Sequence, residues 1–273
     1  RLHGEFNRIW VNYDETAAKE KDPAYTGIPY NLAMAFVAIE DKGFNDHNGV
    51  DWKRTLAAFA NQFLPISSSR FGGSTITQQL VKNLTDDSSQ KASRKVREIM
   101  RARYLEDNYS KSTILECYLN TIPMGNGTYG VEVAANYYFG KSVKDLTLAE
   151  CASLASITKA PSYYAPDDNP ENNKERRDVV LQEMLSQKYI TKEEYDEAVK
   201  TELKATAEEQ VLNQNEVNSY FIDALINQVS EDLSEKYGYD KSHADRMFYN
   251  GGYKIYATVD TDIQTAAESV FTD

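Results

Sequence analysis

Apolar residues recur at helical spacing in one stretch after another up to about residue 200, and this recurrence narrows the fold more than any other feature. YNLAMAFVAIED (30–41) is apolar nearly all round and predicts a buried helix. DWKRTLAAFANQFL (51–64) predicts a second helix, with Asp51 placed to cap it. TITQQLVKNL (75–84) and KASRKVREIMRARYLEDNYS (91–110) follow, the latter with Val96, Ile99, Met100, Arg103 and Tyr104 on one stripe. KSTILECYLNTI repeats the pattern with Ile114, Leu115, Tyr118, Leu119 and Ile122. TLAECASLASIT (147–158) and TKEEYDEAVK open with Thr147/Glu150 and Thr191/Glu194 at capping-box spacing. The expectation is a mainly α chain.

Beyond residue 200 the character changes. Residues 201–216 are polar and read as a linker, and VNSYFIDALINQVSEDLSEKYG reads as a helix. GGYKIYATVD (251–260) alternates Tyr253, Ile255, Ala257 and Val259 with Lys254, Tyr256 and Thr258, the best strand pattern in the chain. TDIQTAAESVF then starts another helix, so residues 201–273 read as a short α/β segment. No run of about 18 apolar residues is present, so nothing reads as a bilayer span.

The net charge of -12 is uneven. Residues 82–103 hold seven Lys/Arg and three Asp/Glu, whereas residues 191–240 hold thirteen Asp/Glu and four Lys. A basic patch on an acidic chain predicts a local anion site and argues against nucleic acid as a partner. Two cysteines, Cys117 and Cys151, make no disulfide or zinc framework, and three histidines argue against a histidine-rich metal site.

Three constellations carry chemistry. In IEDKGFNDHNGVD (39–51), Glu40 and Asp41 end an apolar helix, where a negative charge opposes the helix dipole. An acid there needs work or a partner, and a carboxylate emerging from an apolar wall is a candidate base. In GGSTITQQLVKN (72–83), two glycines allow close backbone approach, and Ser74, Thr75 and Thr77 can cap the following helix and offer its free N–H groups to an anion. At helical spacing Thr75, Gln78, Gln79 and Lys82 share a polar face that suits a phosphate-bearing ligand. The lysine lies too far from the glycines for a Walker loop. In RKVRE, Arg94 and Lys95 precede Glu98 at ion-pairing spacing, and with Lys82 they form a cluster able to hold a pyrophosphate. GNGTYG (125–130) fits a dinucleotide fingerprint, but a helix stopped by Pro123 precedes it, so it reads as a turn between helices.

Taken together and in order, these stretches, with KSTILECYLN, GNGTYGVEVAANYYFGK and ASLASITKAPSYYAPDDNP, resemble the peptidoglycan glycosyltransferase domain of class A penicillin-binding proteins. The resemblance covers residues 25–200. Residues 1–24 match nothing recognisable, and 201–273 are similar to the family's linker and the start of its transpeptidase domain, without the serine motifs. Asn45 and Pro123 stand where the family commonly has aromatics.

The resemblance implies a lysozyme-like helical fold with a small membrane-facing lobe over residues 55–73. Phe59, Phe63, Leu64, Ile66 and Phe71 would meet the lipid interface. It implies polymerisation of lipid II onto a lipid-linked glycan chain at the extracytoplasmic face of the bacterial cell membrane. Inversion at the anomeric carbon would accompany release of undecaprenyl pyrophosphate. Glu40 would be the base. Lys82, Arg94 and Lys95 would neutralise the leaving pyrophosphate, helped by Mg2+ or Mn2+ carried with it rather than by a protein metal site. Ser74, Thr75, Gln78, Gln79, Asp41, Phe44, His47 and Asn83 would complete the substrate site. Moenomycin-type inhibitors and cell-wall synthesis or division proteins are the other implied partners. Glu98, ringed by Arg94, Lys95, Arg97 and Arg101, should organise the cations rather than donate a proton. The rival readings are a lytic enzyme, which the cation cluster and paired glutamines disfavour, and a scaffold, which Glu40 and Glu98 disfavour.

Overall fold

The computed structural model describes residues 8–63, 73–85, 92–205 and 220–238, with short pieces as far as residue 264. It divides into a unit of Phe6–Gln210 and a second of Arg1–Glu5 with Val211–Asp273.

Within the larger unit the helices in chain order are α1 Glu15–Glu20, α2 Tyr30–Glu40, α3 Trp52–Phe63, α4 Ile76–Thr85, α5 Ala92–Asn108 and α6 Lys111–Thr121. They continue with α7 Val131–Phe139, α8 Leu148–Ile157, α9 Pro161–Tyr164, α10 Pro170–Ser186 and α11 Lys192–Lys200. The described residues contain no strand beyond an isolated bridge between Pro123 and Tyr129.

Two helices form the axis of the unit. Every residue of α2 from Leu32 to Ile39, and of α8 from Ala149 to Ile157, is buried. A helix apolar on all sides has no solvent face to offer and must be surrounded. α2 and α8 pack on each other and on α10, which contributes Val180, Leu181 and Met184 to the core. A second group is formed by α4 packed between α5 and α6. α6 buries Ile114, Leu115, Tyr118, Leu119 and Ile122, the face its spacing predicts. The edge-on contact of Phe36 with Tyr118, 6.2 Å between ring centroids, joins the two groups. Glu40, the last residue of α2, stands beside that junction.

Local rules fix the helix ends. Thr147/Glu150 and Thr191/Glu194 form reciprocal capping boxes, as their spacing predicts. Asp51 accepts the Arg54 N–H at 3.0 Å and so caps α3. Asp14 caps α1, and Trp10, Val11 and Tyr13 hydrogen-bond to Glu116 and Asn120 of α6, so residues 10–20 are tied to the body of the larger unit. GNGTYG is a turn between α6 and α7; a Cβ on Gly130, at φ 81°, would lie 2.6 Å from the Asn120 carbonyl oxygen.

One amphipathic face lies opposite to the core. Val96, Met100 and Tyr104 of α5 are exposed, while Glu98 and Ala102 are buried. The interior side of α5 is the one that carries Glu98 and approaches Gly49, where a Cβ would meet the Ala102 carbonyl oxygen at 2.7 Å. Phe59 and Phe63 have no described side chains, and Leu64, Ile66 and Phe71 lie outside the described residues. The membrane-facing expectation rests on sequence there, beside exposed Trp52 and Leu56.

In the smaller unit α12, Tyr220–Tyr237, packs Leu233 against Ala244, with Ile226, Val229 and Ile255 alongside. The strand expected over 251–260 does not form in its described part: residues 255–260 have no regular structure, and 251–254 lie outside the described residues.

Candidate active site

Adjacent acids at the end of α2 have opposite fates. Asp41 is fully buried. One carboxylate oxygen accepts from Arg54 Nη1 at 3.0 Å. The other accepts from the backbone N–H of Ile76 at 2.9 Å and from His47 Nε2 at 3.0 Å. A carboxylate only accepts, so His47 carries its proton on Nε2. Asp41 thereby supplies a negative charge to the first N–H of α4, where the helix dipole favours it. Arg54 also donates to the Glu40 carbonyl at 2.9 Å, holding the C-terminus of α2 in the same knot.

Glu40 stays half-buried and is held by uncharged donors. Gln79 Nε2 donates to Oε2 at 2.9 Å, and the Thr158 hydroxyl lies 2.7 Å from Oε1. The Gln79 amide must present nitrogen to a carboxylate, which turns its oxygen toward the Tyr118 hydroxyl at 3.3 Å. Burial, then the charges of Glu40 and Asp41, raise the Tyr118 pKa well above its ordinary value, so the phenol remains a donor.

The cationic half of the site is a seam between α4 and α5. Lys82, Arg94, Glu98 and Arg101 line a cleft of about 10 Å3 with Val81 and Thr85. That is room for about one water, so an anion would sit at its mouth. Glu98 is largely buried, and Lys95 bridges from its Oε1 at 2.5 Å to Ser74 Oγ at 3.2 Å. Gln79 and Lys82 are three residues apart on α4, so their Cβ atoms are roughly 5–6 Å apart. That helix joins the carboxylate to the cations. Asn83 is half-buried and not part of the cleft lining.

Several residues expected to face substrate instead build the frame. Thr75 and Gln78 are fully buried. Thr75 Oγ1 accepts from Gln78 N–H at 3.1 Å, and Gln78 Oε1 accepts from Thr75 N–H at 3.0 Å. This is a capping box, and it uses the Thr75 hydroxyl and Gln78 Oε1 because a helix start leaves N–H groups that must be satisfied, while the buried Gln78 Nε2 has no partner among the described residues. Thr75 also donates to the Gly49 carbonyl at 2.7 Å. Phe44 is buried, and Lys111 Nζ sits 4.5 Å from its ring centre. His47 serves Asp41, and its edge borders a separate hollow shared with Asp46, Asp51, Trp52, Lys53 and Arg103. Asp41, Phe44, His47, Thr75 and Gln78 are thus tied into the frame of the site by bonds and packing to other parts of the chain.

Arg54, Tyr118 and Thr158 were not among the expected site residues. A buried acid needs a cation or donors, so Asp41 gave a general reason to look for Arg54. Thr158 had no signal: only the fold brings the end of α8 to Glu40.

A mainly helical domain with this site belongs to the transglycosylase family, whose model matches residues 7–185. More particularly, it is a transglycosylase domain of the class A penicillin-binding protein type. The chain is 40% identical over 258 residues to penicillin-binding protein 1A of Clostridium perfringens (strain 13 / Type A), covering 90% of this chain and 38% of that protein. It is 38% identical over 276 residues to penicillin-binding protein 1F of Bacillus subtilis (strain 168), covering 98% and 37%. The crystal structure of penicillin-binding protein 1A from Haemophilus influenzae is 27% identical with a TM-score of 0.42, covering 87% of this chain and 22% of that one. The chain thus spans under two-fifths of the length of these curated relatives.

Proposed function

We propose that this domain is a peptidoglycan glycosyltransferase that polymerises lipid II, with inversion at the anomeric carbon and release of undecaprenyl pyrophosphate. The observation that carries the reading is the arrangement on α4: Gln79 holds the Glu40 carboxylate, and Lys82 faces Arg94, Glu98 and Arg101 across a seam. In this reading Glu40 takes the proton from the acceptor sugar's 4-hydroxyl as that oxygen attacks the donor's anomeric carbon. The pyrophosphate leaves from the opposite face without needing a proton, because Lys82, Arg94 and Lys95 stabilise its charge. Glu98 spaces those cations. Gln79 and Ser74 fix the two halves relative to each other, and Asn83 extends the donor site.

Among the described residues no group of three His, Cys, Asp or Glu could hold a metal ion. In this reading a divalent cation comes with the pyrophosphate, and no step is assigned to it. No described helix is long and apolar enough to cross a membrane. The lipid substrate places the reaction at the outer face of the cell membrane, and the exposed side chains of α3 and α5 suit that surface. Moenomycin-type inhibitors would compete there, and cell-wall synthesis or division proteins are the partners such a domain would meet.

The test is incubation with lipid II and Mg2+ or Mn2+, with products resolved on a gel, with and without moenomycin. Glycan polymers that vanish with the inhibitor are the expected result. Soluble fragments released from purified cell-wall glycan would replace this reading with a lytic one, and no product from either substrate would leave a scaffold.

A further inference from the structure

The geometry points to Thr158 as the positioning residue that switches its single proton as the base changes charge. The inference rests on the reading of Glu40 as the base. A threonine hydroxyl has one hydrogen, yet Thr158 Oγ1 has two acceptors in reach: Glu40 Oε1 at 2.7 Å and the Ala155 carbonyl at 2.9 Å. Ala155 lies in the last turn of α8, where carbonyls lack partners further along the helix.

While Glu40 is ionised, the hydroxyl serves it, because a hydrogen bond to a charged acceptor is the stronger one. Once Glu40 has taken the acceptor sugar's proton, that advantage is gone. The Thr158 hydrogen then turns to Ala155, and its oxygen can accept from the new carboxylic acid. The ionised state leaves the Ala155 carbonyl without this donor, and the protonated state restores it.

The same geometry selects which oxygen takes the proton. Oε2 faces Gln79 Nε2, a donor that cannot turn over while the Tyr118 hydroxyl points at its oxygen. Oε1 faces Thr158, which among the described partners of this carboxylate can reverse its role. The proton therefore arrives on Oε1, and the sugar 4-hydroxyl must approach from that side.

Thr158→Val keeps the shape and removes the hydroxyl; Thr158→Ser keeps the hydroxyl. With lipid II as substrate, Thr158→Val should lower kcat about tenfold with KM within about twofold. The acid limb of its rate profile should move to higher pH, because a donor to the charged form is gone. Thr158→Ser should restore both. The charged and titratable groups on the elements around Glu40 include Asp41 and Lys42 beside it in the chain, Arg54 on its carbonyl, Tyr118 behind Gln79, Lys82 on α4 and Lys159 next to Thr158. All are unchanged in both variants, so movement of the limb reports the hydroxyl. If the valine variant melts early, Thr158→Ala is read in its place.

A valine profile that superimposes on wild type, or a serine variant that behaves like valine, overturns the inference. Glu40→Gln in parallel separates the two claims. If it is inactive while Thr158→Val is normal, the base stands and the switch falls; if it retains the wild-type rate, both fall.

Discussion

Glu40 and Glu98 flank the same helix, and their surroundings are opposite in kind. Among the described residues Glu40 meets neutral donors at its carboxylate, the Gln79 amide and the Thr158 hydroxyl. Glu98 meets the Lys95 ammonium at 2.5 Å and shares a seam with Lys82, Arg94 and Arg101. Neutral donors orient a carboxylate without neutralising it, so it can still receive a proton. An ammonium in contact makes a carboxylate a counter-ion whose protonation would strand a cation. Two identical side chains thus acquire different chemistry from what the fold puts beside them.

The largest expected effect breaks the comparison at its catalytic end. Glu40→Gln keeps the shape and hydrogen-bonding capacity but cannot accept a proton. Lipid II polymerisation should fall by about 10²–10⁴ in kcat, the usual worth of a general base, with little change in binding. A wild-type rate, read from single-turnover gels, would remove Glu40 from the mechanism.

Glu98→Gln sharpens the other end. As a counter-ion, Glu98 sets the spacing of cations, and Ser74 still holds Lys95 in its absence. The expected loss is about tenfold, with the alkaline limb of the pH profile unmoved. Were Glu98 instead a proton donor to the leaving group, its removal would cost as much as loss of Glu40 and would flatten that limb. The effect on stability should be small, because Lys95 is more than a third exposed and solvent screens the pair.

The sequence made one side of this comparison more legible than the other. Glu40 was visible because an acid ending an apolar helix opposes the helix dipole, a local fact. The cation cluster was visible because RKVRE repeats at helical spacing. Thr75 reads from sequence both as a helix cap and as a substrate contact, and the structure shows the cap, with Gln78 as its reciprocal partner at the spacing of Thr147/Glu150. The polar face of GGSTITQQLVKN drew attention to ligand binding, while helix ends make the same demand for side-chain oxygens. Asp41 and Thr158 depend on contacts between segments far apart in the chain, and local patterning carries no trace of those. The exposed stripe of Val96, Met100 and Tyr104 shows the same limit: periodicity finds an amphipathic helix, but not which face its neighbours need.

The smallest effect lies one step behind Glu40. Tyr118→Phe retains the buried ring and its edge contact with Phe36, and removes only the hydroxyl facing Gln79 at 3.3 Å. The Gln79 amide is then free to turn over, and in the turned state its oxygen would face the Glu40 carboxylate. A neutral hydrogen bond contributes about 0.5–1.5 kcal/mol, so kcat should fall roughly two- to tenfold while KM holds. Alkaline stability supplies a second measure. Burial, then the charges of Glu40 and Asp41, hold the folded-state pKa of Tyr118 well above its ordinary value of 10.0. Above that pH the unfolded chain loses the proton while the folded chain keeps it, so the folded state is progressively disfavoured. Tyr118→Phe removes this group from the balance, and its melting temperature should decline less steeply than wild type above pH 10.0. A variant whose kcat and alkaline slope both match wild type would show that Gln79 is oriented by Glu40 alone. The neutral side of the site would then be a single contact rather than a chain reaching back into α6.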